Sequence, residues 1–516
     1  MGAHAPVADR APQLGPVVQT AHGLLRGSAE GGLAVFRGVP YASPPVGERR
    51  WRAPAPPEAW LDIRDATAFG PAAVQAPGEP PFGDLFARVP TSEACLTLNV
   101  WTPDRDPTRP LPVLVWIHGG GLADGTAADP LYAGDTFARD GLVFVSINYR
   151  LGALGFLHLA ELFDDYEDAG NLGLLDQVAA LRWVRDNIAA FGGEPGAVTI
   201  AGESAGGWSV ASLMAMPAAR GLFHRAICSS GAGDHALDPG TATRVARRFL
   251  DAAGVRAGDR DALLTLAPEQ VVAAQEVVYG DAMGSPETAA ALLGDSAGLI
   301  FPLLPVIDGA VLPALPQDAV AAGSARGIPL LIGTNRDEYG LYRLLDGGIF
   351  TAEHLRWYVE RGLDGGTFAD AVALYGGSDS AALDAMETDR FFRAPAVALA
   401  ERQARWSDVY VYRLDWAGTE RYGACHVMDV PLVFGRPDHP PTRALIETLP
   451  PVEVAASLHD AWSSFARGGA PASVHLPLWS TYDDDRRRTM LIDAPGLRML
   501  AGPERERRSP WRDRNG

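Results

Sequence analysis

The chain contains no lysine: all 44 of its basic residues are arginine. That absence removes whole mechanisms. A cofactor Schiff base, a P-loop lysine and a serine–lysine hydrolase each need an amine that can lose its proton, which a guanidinium cannot do. A general base must then be histidine, carboxylate, tyrosine or cysteine, and the eleven histidines form the short list. Positive charge is scarce altogether. Against 63 acidic residues the net charge is −19, which argues against nucleic-acid backbones and anionic membrane surfaces as partners. The plain reading of this charge is solubility, and the sharper alternative is steering of cationic substrates.

Cysteine is equally sparse. Cys95, Cys228 and Cys425 are the only three, an odd set without metal-type spacing, so a disulfide framework is not expected and a reducing, cytoplasmic compartment is. No run of eighteen apolar residues occurs, and residues 1–27 lack an apolar h-region, so neither a membrane span nor a signal peptide is expected. H-E-x-x-H, paired cysteines and a dinucleotide glycine fingerprint are all missing, so no metal and no cofactor is expected. His158 with Glu161 reads as a stray helical spacing.

What is present is the material of a large core. Hydrophobic residues make up 47% of the 516 and charged ones 21%, and the whole chain, 1–516, reads as one α/β domain, monomeric or weakly dimeric. Leu111-Pro-Val-Leu-Val-Trp-Ile117, Leu142-Val-Phe-Val-Ser-Ile147 and Ala197-Val-Thr-Ile-Ala201 are apolar runs of strand length. Such runs suit a mostly parallel twisted sheet buried on both faces. Between the last two lies Leu174 to Phe191, where Leu175, Val178, Leu181, Val184 and Ile188 recur at helical spacing. Pro329–Gly333 and Val409–Arg413 continue the alternation. Two stretches, about 239–299 and 346–405, read as helical insertions that form a lid or pocket wall. The arginine-rich tail, 504–516, reads as a solvated end.

Gly202-Glu203-Ser204-Ala205-Gly206 matches G-x-S-x-G, led in by a buried strand and out by a helical run, Trp208 to Ala215. A nucleophile elbow needs that order, because the serine sits in a strained turn that the flanking glycines allow to close. His118-Gly-Gly-Gly121 follows another strand. Its glycines would let backbone N–H groups face a developing oxyanion without side chains in the way. Seven histidines follow Ser204, at 224, 235, 354, 426, 439, 459 and 475. Placement on a loop after a strand favours His426 over the helical His354 and His459.

At these residues the chain resembles the type B carboxylesterases, the cholinesterase-like branch of the α/β-hydrolases, as found in bacteria. Phe191 to Gly206 resembles the family's active-serine signature along its length, and Glu93-Ala-Cys-Leu-Thr-Leu-Asn-Val100 its second signature, with Ala94 departing from the usual acidic pair. Phe36 to Ala42, Asn148 to Gly152 and Gly170 to Gln177 are further echoes, so the likeness runs from about Gly23 to Trp479. It implies the α/β-hydrolase fold, a small-molecule ester as substrate, and a triad of Ser204, Glu338 and His426. The acid comes from Thr334-Asn-Arg-Asp-Glu-Tyr-Gly340, with Asp337 as rival, and the base from Gly423-Ala-Cys-His-Val-Met-Asp429. The oxyanion donors would be Gly120, Gly121 and Ala205.

The resemblance also places Glu203 near the histidine and makes Arg150 and Asp176 a structural ion pair. Leu122, Trp208, Tyr339 and Tyr342 are candidate pocket residues, with Trp208 read first as core. Residues 71–91 hold neither the tryptophan nor the second cysteine of a choline-binding loop, so choline-ester selectivity is not expected. The same triad would serve a carbamate or amide hydrolase or an acyl transferase, and a non-catalytic adhesion-type relative is the remaining reading. A histidine base should give a pH–rate limb at about pH 6–7.5.

Overall fold

A computed structural model describes residues 15–77, 89–345, 351–364, 366–494, 496–503, 505–508 and Trp511. The apolar runs pair side by side. From one edge to the other the main sheet runs Arg498–Ala501, Arg488–Ile492, Val409–Leu414, Leu330–Asn335, Arg225–Ser229, Gly193–Glu203, Leu111–Ile117, Val143–Ile147, Thr97–Thr102, Leu33–Pro40 and Ser28–Glu30. Six of its ten pairings are parallel, and the antiparallel ones lie toward the two edges. A small sheet of Val17–Thr20, Gly23–Arg26 and Arg64–Asp65 stands apart from it. The central strands are buried almost throughout, as their unbroken apolar sequences require when helices cover both faces.

The strand expected at Ala197–Ala201 is longer, Gly193–Glu203, because Leu111 pairs with Gly193 ahead of an irregularity in register. The helix expected from Leu174 to Phe191 spans Leu172–Asn187 and tightens into a 3-10 turn at Ile188–Phe191. Gly192, at φ +81°, ends it. Val178, Leu181, Val184 and Ile188 are buried as the spacing requires, whereas Leu175 is only partly so. The same helix carries Asp176 inward to Arg150, whose guanidinium forms paired contacts of 2.7 Å with both carboxylate oxygens.

The stretch expected as a first insertion is helical, with Pro239–Ala253, Arg260–Leu264, Pro268–Met283 and Pro286–Leu293. The second is Ala352–Gly362, Phe368–Tyr375, Ser380–Thr388 and Ala394–Ala404, its beginning at 346–350 lying outside the described residues. A single π turn, Asp389–Arg393, joins its last two helices. Such turns insert an extra residue and recur at functional sites. One residue of the tail departs from the solvated reading. Part of 504–516 lies outside the described residues, but Trp511 is buried, with its indole N–H on the Tyr375 hydroxyl at 3.0 Å. An apolar ring with one donor gains more from that site than from water. Among the described residues no helix is long and apolar enough to cross a membrane.

Arg150 and Asp176 are both almost fully buried. Removing one partner strands the other charge without water, so Asp176→Ala should cost about 3–5 kcal/mol in a urea unfolding curve; a change below about 1 kcal/mol would contradict the pairing's structural weight.

Candidate active site

The site lies along the carboxyl ends of the parallel strands, where α/β sheets bind their ligands. Ser204 follows Gly193–Glu203, the glycine loop follows Leu111–Ile117, Glu338 follows Leu330–Asn335, and His426 lies beyond Val409–Leu414. Ser204 sits at φ +56° and ψ −123°, a conformation costly for a residue with a Cβ. Close backbone packing holds it there. A Cβ on Gly202 would lie 2.4 Å from the Gly206 carbonyl, and one on Gly206 would lie 2.1 Å from the Ile117 oxygen. The Ser204 N–H donates to the Ser229 carbonyl at 2.9 Å, and its own carbonyl accepts from Trp208 N–H at 3.0 Å. Helix Ala205–Ala215 begins at once.

The glycine loop passes directly over the serine. A Cβ on Gly119 would lie 3.1 Å from Ser204 Cβ. Gly120 and Gly121 take φ of +103° and +60°, which frees their N–H groups from the strand direction. Among the described residues the N–H groups of Gly120, Gly121 and Ala205 have no acceptor. Ala205 is unpaired for the ordinary reason that it opens a helix. His118 stiffens the loop: its Nδ1 is 2.8 Å from the Gly119 oxygen, its ring stacks on Tyr149, and burial depresses its pKa to about 4. It therefore stays neutral.

His426 is held from two sides. Its Nδ1 is 2.8 Å from Glu338 Oε2, and its Nε2 is 3.3 Å from Glu203 Oε1. Among the described residues no hydrogen bond joins Nε2 to Ser204; such contacts commonly tighten only when substrate arrives. Glu338 is wholly buried, and its other oxygen accepts from Ser230 Oγ at 2.6 Å and Asn335 N–H at 2.7 Å. Asp337, the rival acid, turns away to Arg336 and to the Ala424 N–H.

Sequence reading missed the support behind this pair. Asp429 accepts from Ser229 and Asn335, and Asn335 also donates to the Cys425 carbonyl. Asn335 and Asp429 stand inside the very segments that carry Glu338 and His426, and polar residues in such buried strand ends were the available signal. Opposing influences set the titration of His426. Burial opposes the imidazolium, but Glu203 and Glu338, with Asp429 beyond, outweigh it and lift the pKa to about 9. Burial in turn lifts Glu203 to about 8, opposed by His426 and reinforced by Asp429 and Glu338.

Aromatic rings pack around the histidine. Phe392 lies 4.8 Å from the His426 ring and Tyr342 lies 5.8 Å from it, while Tyr339 stacks on Tyr342 and anchors its N–H on Thr388 Oγ1. Trp208 is buried, stacked on His235 at 3.9 Å, with Phe301 and Phe391 at its edges. The π turn is what lets consecutive residues, Phe391 and Phe392, serve both places. Leu122 is fully buried in the core and presents no surface to a ligand. Residues 78–88, most of the segment compared with a choline-binding loop, lie outside the described residues; Ala72 and Thr91 at its base are bridged through backbone.

A mostly parallel sheet with an elbow serine, an acid loop and a histidine loop on its carboxyl edge defines an α/β-hydrolase. The profile of the carboxylesterase family matches residues 15–353 and 375–511, and the chain belongs to that family of carboxylic-ester hydrolases. It is similar to the para-nitrobenzyl esterase of Bacillus subtilis, 40% identical over 504 residues spanning 95% of this chain and 97% of that one. The phenmedipham hydrolase of Pseudarthrobacter oxydans is 37% identical over 512 residues, covering 95% and 98%. A solved carboxylesterase of Geobacillus stearothermophilus superposes with a TM-score of 0.82 at 38% identity, covering 96% of this chain and 100% of the other.

The neutral form of His426 grows as pH rises, so the kcat/KM limb should lie above the ordinary histidine range, on the alkaline side of the pH 6–7.5 expected from sequence. Glu203→Gln removes a carboxylate that favours the imidazolium and should move this limb to lower pH by roughly one unit. An unmoved limb would show that Glu203 does not act on the imidazole.

Proposed function

We propose that the chain hydrolyses carboxylic esters through an acyl-enzyme on Ser204. His426 takes the Ser204 proton as Oγ attacks the ester carbonyl, then returns it to the leaving alcohol. A water deprotonated by the same imidazole then releases the acid. Glu338 holds the imidazole in the tautomer that leaves Nε2 free to accept, and stabilises the imidazolium. The N–H groups of Gly120, Gly121 and Ala205 receive the oxyanion, and having no acceptor among the described residues they need no rearrangement to do so. Trp208, Tyr339 and Tyr342 shape the cavity for the substrate, with Glu203 setting the charge at its floor.

The observation that carries the reading is the 2.8 Å contact between His426 Nδ1 and Glu338 Oε2, set beside a serine held at positive φ. The buried, unpaired thiols Cys95, Cys228 and Cys425 support the cytoplasm as its compartment. Turnover of p-nitrophenyl acetate and butyrate by the wild type and by Ser204→Ala tests the mechanism. The variant should lose at least about a thousandfold in kcat, and undiminished turnover would overturn the assignment. In a matched panel the ester should outrun the carbamate and the anilide; the reverse order would move the enzyme to the carbamate or amide hydrolases.

A further inference from the structure

His426 is carried on a turn that its own sequence does not favour. The Met428 N–H donates to the Cys425 carbonyl at 3.2 Å, which closes Cys425-His426-Val427-Met428 into a turn. Its third residue, Val427, sits at φ +62°. Glycine is the residue for that conformation, and a β-branched side chain is among the least suited to it. Left to itself such a turn would open, and the imidazole on its second residue would move with it.

One side chain from a distant strand grips this turn on both sides of the histidine. Asn335, wholly buried at the end of Leu330–Asn335, donates from Nδ2 to the Cys425 carbonyl at 2.8 Å and to Asp429 Oδ1 at 3.2 Å. A carbonyl can only accept, so the amide nitrogen is the atom that faces Cys425. That orientation leaves Asn335 Oδ1 buried without a hydrogen-bond partner among the described residues. An unmade buried acceptor is costly, and a residue present only to fill space would serve better as a hydrocarbon of the same shape. The amide is kept for its two donors.

The same residue reaches the acid. Its backbone N–H donates to Glu338 Oε1 at 2.7 Å, and the other oxygen of that carboxylate meets His426 Nδ1 at 2.8 Å. Backbone bonds also join the two loops, from His426 N–H to the Glu338 carbonyl and from Asp337 N–H to the Ala424 carbonyl. These two do not reach past His426, whereas the strained residue lies just beyond it. The Asn335 amide supplies the bracket across Val427, and Asp429 is anchored in turn by the hydroxyls of Ser229 and Tyr412. We propose that Asn335 is a positioning residue for the reaction: its amide brackets Val427 and keeps the turn shut, with the imidazole on Glu338. This role deepens the acyl-enzyme reading and rests on it.

The test combines two substitutions. Asn335→Leu keeps the shape of the side chain and removes both donors. With p-nitrophenyl acetate it should lower kcat about tenfold or more per active site, sites being counted by fluorophosphonate labelling taken to completion, while KM stays within about twofold. Val427→Gly relieves the strain that the amide contains, so in the Asn335→Leu background it should bring kcat back to within about threefold of the wild type. Asn335→Ala, which cannot overfill the site, is read by the same two numbers if leucine prevents folding. An unchanged kcat per site beside a lowered urea midpoint would make Asn335 a stability residue only and overturn the proposal. A loss that Val427→Gly leaves unrecovered would overturn it too, since the amide would then act on something other than the strained turn. Full activity in Ser204→Ala is a separate failure, that of the acyl-enzyme reading itself.

Discussion

The fold is organised around one unfavourable backbone conformation. Ser204, at φ +56°, is stable only because the chain on every side has been pared to glycine or fixed by hydrogen bonds. Gly202 and Gly206 pass within contact of each other, and Gly206 lies against the carbonyl that ends the neighbouring strand. Gly231, after the next strand, leaves room for the Ser204 carbonyl. Three adjacent parallel strands thus stop at the same level because the elbow needs their ends there. The strain puts Oγ at the edge of the sheet and the Ala205 N–H beside it, which no relaxed strand-to-helix connection would do.

The second constraint is electrostatic. His426 contacts one carboxylate at each ring nitrogen, and a third, Asp429, stands behind them in a network with Ser229, Tyr412 and Asn335. Whatever negative charge these buried groups carry stabilises an imidazolium, the species that the proposed proton transfer from the serine would form. It also makes the resting histidine harder to deprotonate, so transition-state stabilisation and the availability of the base draw in opposite directions. A chain without lysine has no ammonium in the region to relieve that charge, and its arginines are spent on scaffold pairs such as Arg150 with Asp176 and Arg390 with Glu387.

Much of this was legible in the sequence, and for physical reasons. Strands buried on both faces leave unbroken apolar runs, so Leu111–Ile117 and the core of Gly193–Glu203 could be read directly. The elbow could be read because only glycine tolerates the contacts at 202 and 206. His426 was favoured by its place on a loop after a strand, and family likeness selected it and Glu338, since nothing local distinguishes Glu338 from the acid beside it. What stayed hidden depends on distant parts of the chain. Phe391 and Phe392, packed on Trp208 and on His426, lie in a π turn, which leaves no mark in helical periodicity. Trp511 docks on Tyr375 from a tail whose composition reads as solvated, because one buried ring outweighs its polar neighbours locally.

The central claim is that strain and the carboxylate-held histidine together make Ser204 the one activated nucleophile. Labelling with a fluorophosphonate, followed by intact mass and peptide mapping, tests it directly. The account predicts a single adduct per chain, located on Ser204 and lost in His426→Ala. Labelling of another residue, or of Ser204 at equal rate without the histidine, would contradict it.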